Sequence, residues 1–77
     1  MGDKGNLVKP KEDGLGGKLL GLREIGEKSQ QVVADFCGIS QIALSRYERG
    51  ERMPGADVCR RMADYYGVSV DWLTEGF

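Results

Sequence analysis

Apolar residues recur at helical spacing from Leu15 onward, and no stretch alternates in the manner of a strand. Leu15, Leu19 and Leu22 step by four and three and predict a first helix, which Gly21 and Gly26 weaken toward its end. Ser29 is a good cap for a second helix over Gln30–Cys37, with Val33, Ala34 and Cys37 on one face and Gly38 where a left-handed residue would stop it. Ser40 caps a third helix over Gln41–Arg49, with Leu44 and Tyr47 inward and Gly50 closing it in the same way. Pro54-Gly55 opens a fourth, in which Ala56, Cys59, Met62, Ala63 and Tyr66 form the stripe before Gly67. Ser69 caps a short fifth helix carrying Val70, Trp72 and Leu73. The pattern predicts an all-α domain of five short helices over residues 15–77. Residues 1–14 hold charges and glycines around an isolated Leu7-Val8, too little to bury, and read as a flexible arm.

The junction of the second and third helices is the most informative feature. Only Gly38-Ile39-Ser40 separates them. A three-residue turn headed by glycine sets two helices at a steep angle, the helix-turn-helix unit. Each residue there has a mechanical task. Ala34 must be small where the third helix crosses, Gly38 must tolerate positive φ, Ile39 and Leu44 fill the wedge, and Tyr47 ties the third helix to the core.

The run from Gln30 to Gly50, QQVVADFCGISQIALSRYERG, resembles the Cro/CI-type (Xre family) helix-turn-helix. The likeness continues through Pro54 and returns in Ala63-Asp64-Tyr65-Tyr66-Gly67-Val68-Ser69-Val70-Asp71-Trp72-Leu73, similar to the last two helices of lambdoid phage repressors. It covers roughly residues 17–74. The resemblance implies a five-helix bundle of the lambda repressor-like kind that binds double-stranded operator DNA, generally as a homodimer, and regulates transcription, as a repressor in the reading adopted here.

A recognition helix enters the major groove with its N-terminal part toward the bases. With Leu44 and Tyr47 inward, Gln41, Ile42, Ser45 and Arg46 face outward and are the candidate base contacts. Gln41 can pair bidentately with adenine and Arg46 with guanine, and Ile42 can meet a thymine methyl. Ile42 stands where the family usually has a polar residue. The alternative for each is a solvent-exposed helix position. Candidate phosphate contacts are Gln30, which matches the family's glutamine at the head of the second helix, and Arg49 and Arg52, just past the recognition helix. The resemblance also implies an ion pair between Arg23 on the first helix and Glu48 at the end of the third. For dimerisation it points to the fifth helix, hence Trp72, Leu73 and Phe77, although Trp72 could instead complete the core. Val32 and Phe36 lie on the side of the second helix away from Val33, Ala34 and Cys37. They suit either a partner surface or partial burial against the first helix or the arm.

Composition narrows the chemistry. The 77 residues include no histidine, so no histidine-based triad or general base is available, and no phosphate-loop or dinucleotide glycine motif occurs. Nothing suggests an enzyme. Two cysteines, Cys37 and Cys59, lie 22 positions apart and do not make a structural zinc site; they read as small core side chains. No cofactor or metal is expected. No apolar run approaches membrane-spanning length and no secretion signal is present, so a cytoplasmic, reduced setting is expected.

Net charge is −1 and the pI near 5.3, which alone argues against nucleic acid. The distribution reverses that. Residues 1–27 are neutral, residues 28–52 carry +1, and residues 53–77 carry −2, so the acidic excess sits away from the expected groove face. With Glu48 engaged by Arg23, three arginines would face DNA with little to oppose them. Weak non-specific affinity, with reliance on base contacts and dimerisation, is the expectation. The rival reading is a protein–protein adaptor or antitoxin module on the same fold, for which the acidic pI and the Val32/Phe36 pair speak.

Overall fold

In the computed structural model, which describes residues 14–75, three serines open helices in the same way. The hydroxyl of Ser29 accepts from the Val32 amide at 3.2 Å, that of Ser40 from Ala43 at 3.0 Å, and that of Ser69 from Trp72 at 3.0 Å. Each satisfies a backbone donor that the first helical turn leaves free. The helices are α1 (Leu15–Ile25), α2 (Gln30–Cys37), α3 (Gln41–Glu48), α4 (Ala56–Tyr66) and α5 (Val70–Leu73). The described residues contain no strand. The arm read over residues 1–14 lies, Gly14 apart, outside the described residues, as does Phe77.

The C-terminal ends of α2 and α4 are Schellman turns. The Gly38 amide bonds Asp35 O and the Ile39 amide bonds Ala34 O, with Gly38 at φ 71°; Gly67, at φ 72°, and Val68 repeat the arrangement on Asp64 and Ala63. α3 stops one residue short of the predicted end. Arg49 caps it in a right-handed conformation, and Gly50 takes the left-handed place at φ 75°. α1 runs to Ile25, through Gly21, and Gly26 remains right-handed. The turn is made by Glu27, at φ 56°, the one non-glycine in the left-handed region among the described residues.

α1 packs on α3 and α5, α2 on α3 and α4, and α4 on α5. Leu19, Val33, Cys37, Leu44, Met62 and Leu73 are fully enclosed at the centre. Both thiols are buried and free. Two predicted inward positions differ: Ala56 and Val70, the first residues of α4 and α5, are exposed, because each helix becomes buried in the core only from its fourth residue, Cys59 and Leu73. No helix of the described residues is long and apolar enough to cross a membrane.

The approach of α1 to α3 is set by Gly16. A β-carbon there would lie 2.7 Å from the carbonyl oxygens of both Tyr47 and Glu48. Glycine is therefore required by closeness, not by dihedral angle. On another face of the same turn, Lys18 reaches from α1 to α5. Its ammonium donates to Trp72 O at 2.6 Å, lies 4.6 Å from the centre of the indole ring, and is 3.7 Å from Glu75.

Candidate nucleic-acid interface

The Gly38-Ile39-Ser40 turn delivers α3 with its first residues outermost. Gln41, Ile42 and Arg46 are exposed, Ser45 is half-buried, and Leu44 is fully enclosed beneath them. Ile42 is 62% exposed, a large apolar surface left in water on the outer face of α3. The turn itself is held from a third element. Arg61 of α4 donates to Cys37 O at 2.8 Å, placing a cation on the carbonyl end of α2.

Glu48 is the one buried charged residue of the described set, and three donors converge on it. Arg23 Nε donates to Oε2 at 2.7 Å, Arg23 Nη2 to Oε1 at 3.0 Å, and Gln30 Nε2 to Oε1 at 2.9 Å. The bidentate geometry matches the planar fork of arginine to a carboxylate. It raises the Arg23 pKa above its ordinary value, the hydrogen bond to Glu48 outweighing partial burial. Arg23 Nη1 also donates to Lys28 O at 3.0 Å, which ties the irregular 26–29 segment to the pair. One side-chain cluster thus locks α1, the head of α2 and the end of α3 together. Gln30 in turn accepts, through Oε1, a hydrogen bond from Gln41 Nε2.

Beside this cluster the Tyr66 hydroxyl is buried with no hydrogen-bond partner among the described residues. Burial, with the nearby Glu48 carboxylate adding to it, pushes the phenol up to about 12.

The arginine row departs from expectation at one place. Arg49 is not opposed by nothing: Nε and Nη2 donate to the two oxygens of Glu51 at 2.9 and 3.1 Å, and Nη1 donates to Ser45 Oγ. Gly50 reverses the chain just after α3, and the Glu51 amide closes that turn on Arg46 O, which folds Glu51 back beside Arg49. Their mutual hydrogen bonds raise the Arg49 pKa and lower that of Glu51. Arg46 and Arg52 remain exposed.

The C-terminal candidates separate. Leu73 is fully buried in the core and is unavailable to a partner, since a helix of one turn presents a single inward position and Leu73 occupies it. Trp72 is 41% exposed and carries Lys18 against its ring. Val32 and Phe36 are both exposed, and Phe36 packs on Tyr65 of α4, with ring centroids 4.7 Å apart; the arm, the other candidate cover, lies, Gly14 apart, outside the described residues. At 100° per residue they lie roughly 120–160° around α2 from Gln30. The pair is therefore remote from the Gln30–Gln41 side.

Sequence reasoning alone did not find the roles of Gly16, Arg61, Glu51 and Lys18, each of which depends on what another element brings near. Opposite charge two positions apart across a glycine was the one local signal for Arg49 and Glu51.

The Helix-turn-helix family model matches residues 21–73. The SPbeta prophage-derived uncharacterized HTH-type transcriptional regulator YonR of Bacillus subtilis (strain 168) is 38% identical over 48 residues, 62% of this chain. That match spans 44% of the relative, so the chain corresponds to less than half of its length. The P22 c2 repressor, solved in complex with synthetic operator 9T in the presence of Tl+, superposes with a TM-score of 0.78 at 23% identity, over 83% of this chain and 97% of that one. The restriction-modification controller protein C.AhdI from Aeromonas hydrophila gives 0.71 at 24% identity, over 77% and 89%. At those identities the two structures establish the fold.

Proposed function

The chain belongs to the Cro/CI-type helix-turn-helix family of DNA-binding transcriptional regulators, which are not enzymes, and on that premise we propose that it is a repressor reading operator DNA with α3. The observation that carries this reading is the outward row Gln41, Ile42, Ser45 and Arg46 on a helix whose inner face is fixed by Leu44 and Glu48. In the groove, Gln41 pairs with adenine, Arg46 with guanine, Ile42 covers a thymine methyl and Ser45 lies close enough for either. Gln30, Arg49 and Arg52 take phosphates and set register. A homodimer presents two such helices to half-sites about 34 Å apart. Trp72 is the surface offered for that dimer; the other candidate, Phe77, lies outside the described residues. The P22 c2 repressor's operator complex supports the assignment by analogy of fold.

Selection of bound sites from a random duplex pool tests the reading. A two-fold symmetric motif is expected, and Arg46→Ala should relax the preference at one position of each half-site. Unchanged specificity removes Arg46 from the base contacts. The exposed Val32 and Phe36 favour a second reading, a protein-binding module on the same fold. Salt separates the two: DNA affinity falls steeply as salt rises, and an adaptor shows no binding to duplex even at low salt.

A further inference from the structure

The side chains of Arg23, Glu48, Gln30 and Gln41 form one continuous hydrogen-bonded chain running from α1 to the tip of α3. Its polarity is fixed at one end. A carboxylate engaged by arginine has only acceptors to offer. Glu48 therefore requires Gln30 to turn its amide nitrogen inward, where it donates at 2.9 Å. That leaves the Gln30 carbonyl oxygen facing Gln41, and an acceptor there requires Gln41 to turn its own nitrogen toward Gln30. Gln41 is left with one N–H and its carbonyl oxygen for the groove.

We infer that Glu48, without touching DNA, is a positioning residue that makes Gln41 select adenine over guanine. This deepens the major-groove reading above and rests on it. Adenine presents an N7 acceptor and an N6 donor, which the remaining N–H and the carbonyl oxygen of Gln41 match. Guanine presents two acceptors, O6 and N7. It would be matched by a reversed Gln41 amide with both N–H groups in the groove and its oxygen toward Gln30. With Gln30 as it stands, the reversal would set the Gln41 and Gln30 carbonyl oxygens against each other. Exchanging the ends of the Gln30 amide to relieve that would set its oxygen against the Glu48 carboxylate. Two acceptors face to face in a site where Glu48 is 3% exposed are strongly disfavoured. Gln30 keeps a second N–H, so its phosphate contact and its place in the chain are compatible.

The test is site selection from a random duplex pool, read as the adenine-to-guanine ratio at each position, for the full chain and three variants. Gln41→Ala identifies the base pair that Gln41 reads. Glu48→Gln replaces an acceptor-only group by one that can donate or accept. Gln30→Met cuts the chain at a half-buried site and leaves the Arg23–Glu48 pair intact, so it remains informative if Glu48→Gln does not fold. A good bidentate contact discriminates by roughly 5- to 150-fold. At the Gln41 position alone that ratio should drop at least about fivefold in Gln30→Met and in folded Glu48→Gln, with preferences elsewhere retained. An unchanged ratio in folded Gln30→Met overturns the inference and leaves DNA binding standing. So does a Gln41→Ala protein that selects the wild-type site. If the unmodified protein enriches no sequence, the DNA reading itself falls and this inference with it.

Discussion

The α-carbon of Gly16 sits so near the Glu48 carbonyl that a β-carbon would stand 2.7 Å from its oxygen, with Tyr47 O equally close. Both obstacles are backbone, so relief requires moving α1 away from α3 and straining the Arg23–Glu48 bonds. Gly16→Ala should destabilise by about 1–3 kcal/mol despite the better helix propensity of alanine. Gly21, in the same helix, has nothing within 4 Å of such a carbon. Gly21→Ala should stabilise by about 0.5–1 kcal/mol through the unfolded chain. Urea melts of the two variants should therefore shift in opposite directions.

Arg23 and Glu48 should be strongly non-additive. Arg23→Met leaves a carboxylate at 3% exposure with Gln30 as its remaining side-chain donor, at a cost of about 3–5 kcal/mol. Replacing both, as Arg23→Met/Glu48→Leu, removes the stranded charge and should recover most of that loss. A double-mutant cycle on melting measures the coupling, and additive single effects would contradict the buried pair.

Much of the fold is legible locally, and the reasons are local. Ser29, Ser40 and Ser69 cap helices by bonding three residues ahead, and Gly38 and Gly67 end them by taking a conformation that most residues avoid. The outward face of α3 follows from Leu44 and Tyr47 facing inward. What was not legible depends on a second element arriving. Leu73, which the resemblance offers to a dimer, is taken up by the core once α5 is laid across it. Phe36 has no sequence mark directing it to Tyr65, 29 positions on. The resemblance supplied Arg23 for Glu48, but the link onward through Gln30 to Gln41 needs the heads of α2 and α3 side by side.

The Tyr66 hydroxyl lies beside the cluster with no partner among the described residues, and a buried unpaired polar group costs about 1–3 kcal/mol. Tyr66→Phe should thus be neutral or stabilising at pH 7. The alkaline limb should also change. The folded phenol holds its proton to about 12, whereas the unfolded one ionises near its ordinary 10. The unfolded chain therefore binds fewer protons in that window, and stability present below pH 10 is lost as pH rises through 12. In Tyr66→Phe the decline between pH 10 and 12 should be shallower. A variant whose alkaline limb matches the parent's would remove Tyr66 from the groups responsible.

Arg49 illustrates how an acidic neighbour tunes a DNA-facing cation. Its guanidinium already gives three of its five N–H donors to the two oxygens of Glu51 and to Ser45 Oγ, so the Nε–Nη2 fork reaches a phosphate only by displacing Glu51. The pair is exposed, and its intrinsic contribution to stability is small. Its effect on binding is larger, because a displaced carboxylate remains beside the phosphate and repels it. Glu51→Gln should leave the melting transition within about 0.5 kcal/mol of the parent while tightening binding to random duplex. It should also steepen the dependence of log affinity on log salt by up to about one unit, as Arg49 becomes a full phosphate contact. Arg49→Ala should act in the reverse sense, lowering affinity evenly across sequences and flattening the slope. Combining Glu51→Gln with Arg49→Ala separates two origins of the gain. If tightening persists without Arg49, it reflects only the removed negative charge; if it disappears, Glu51 acts by occupying Arg49.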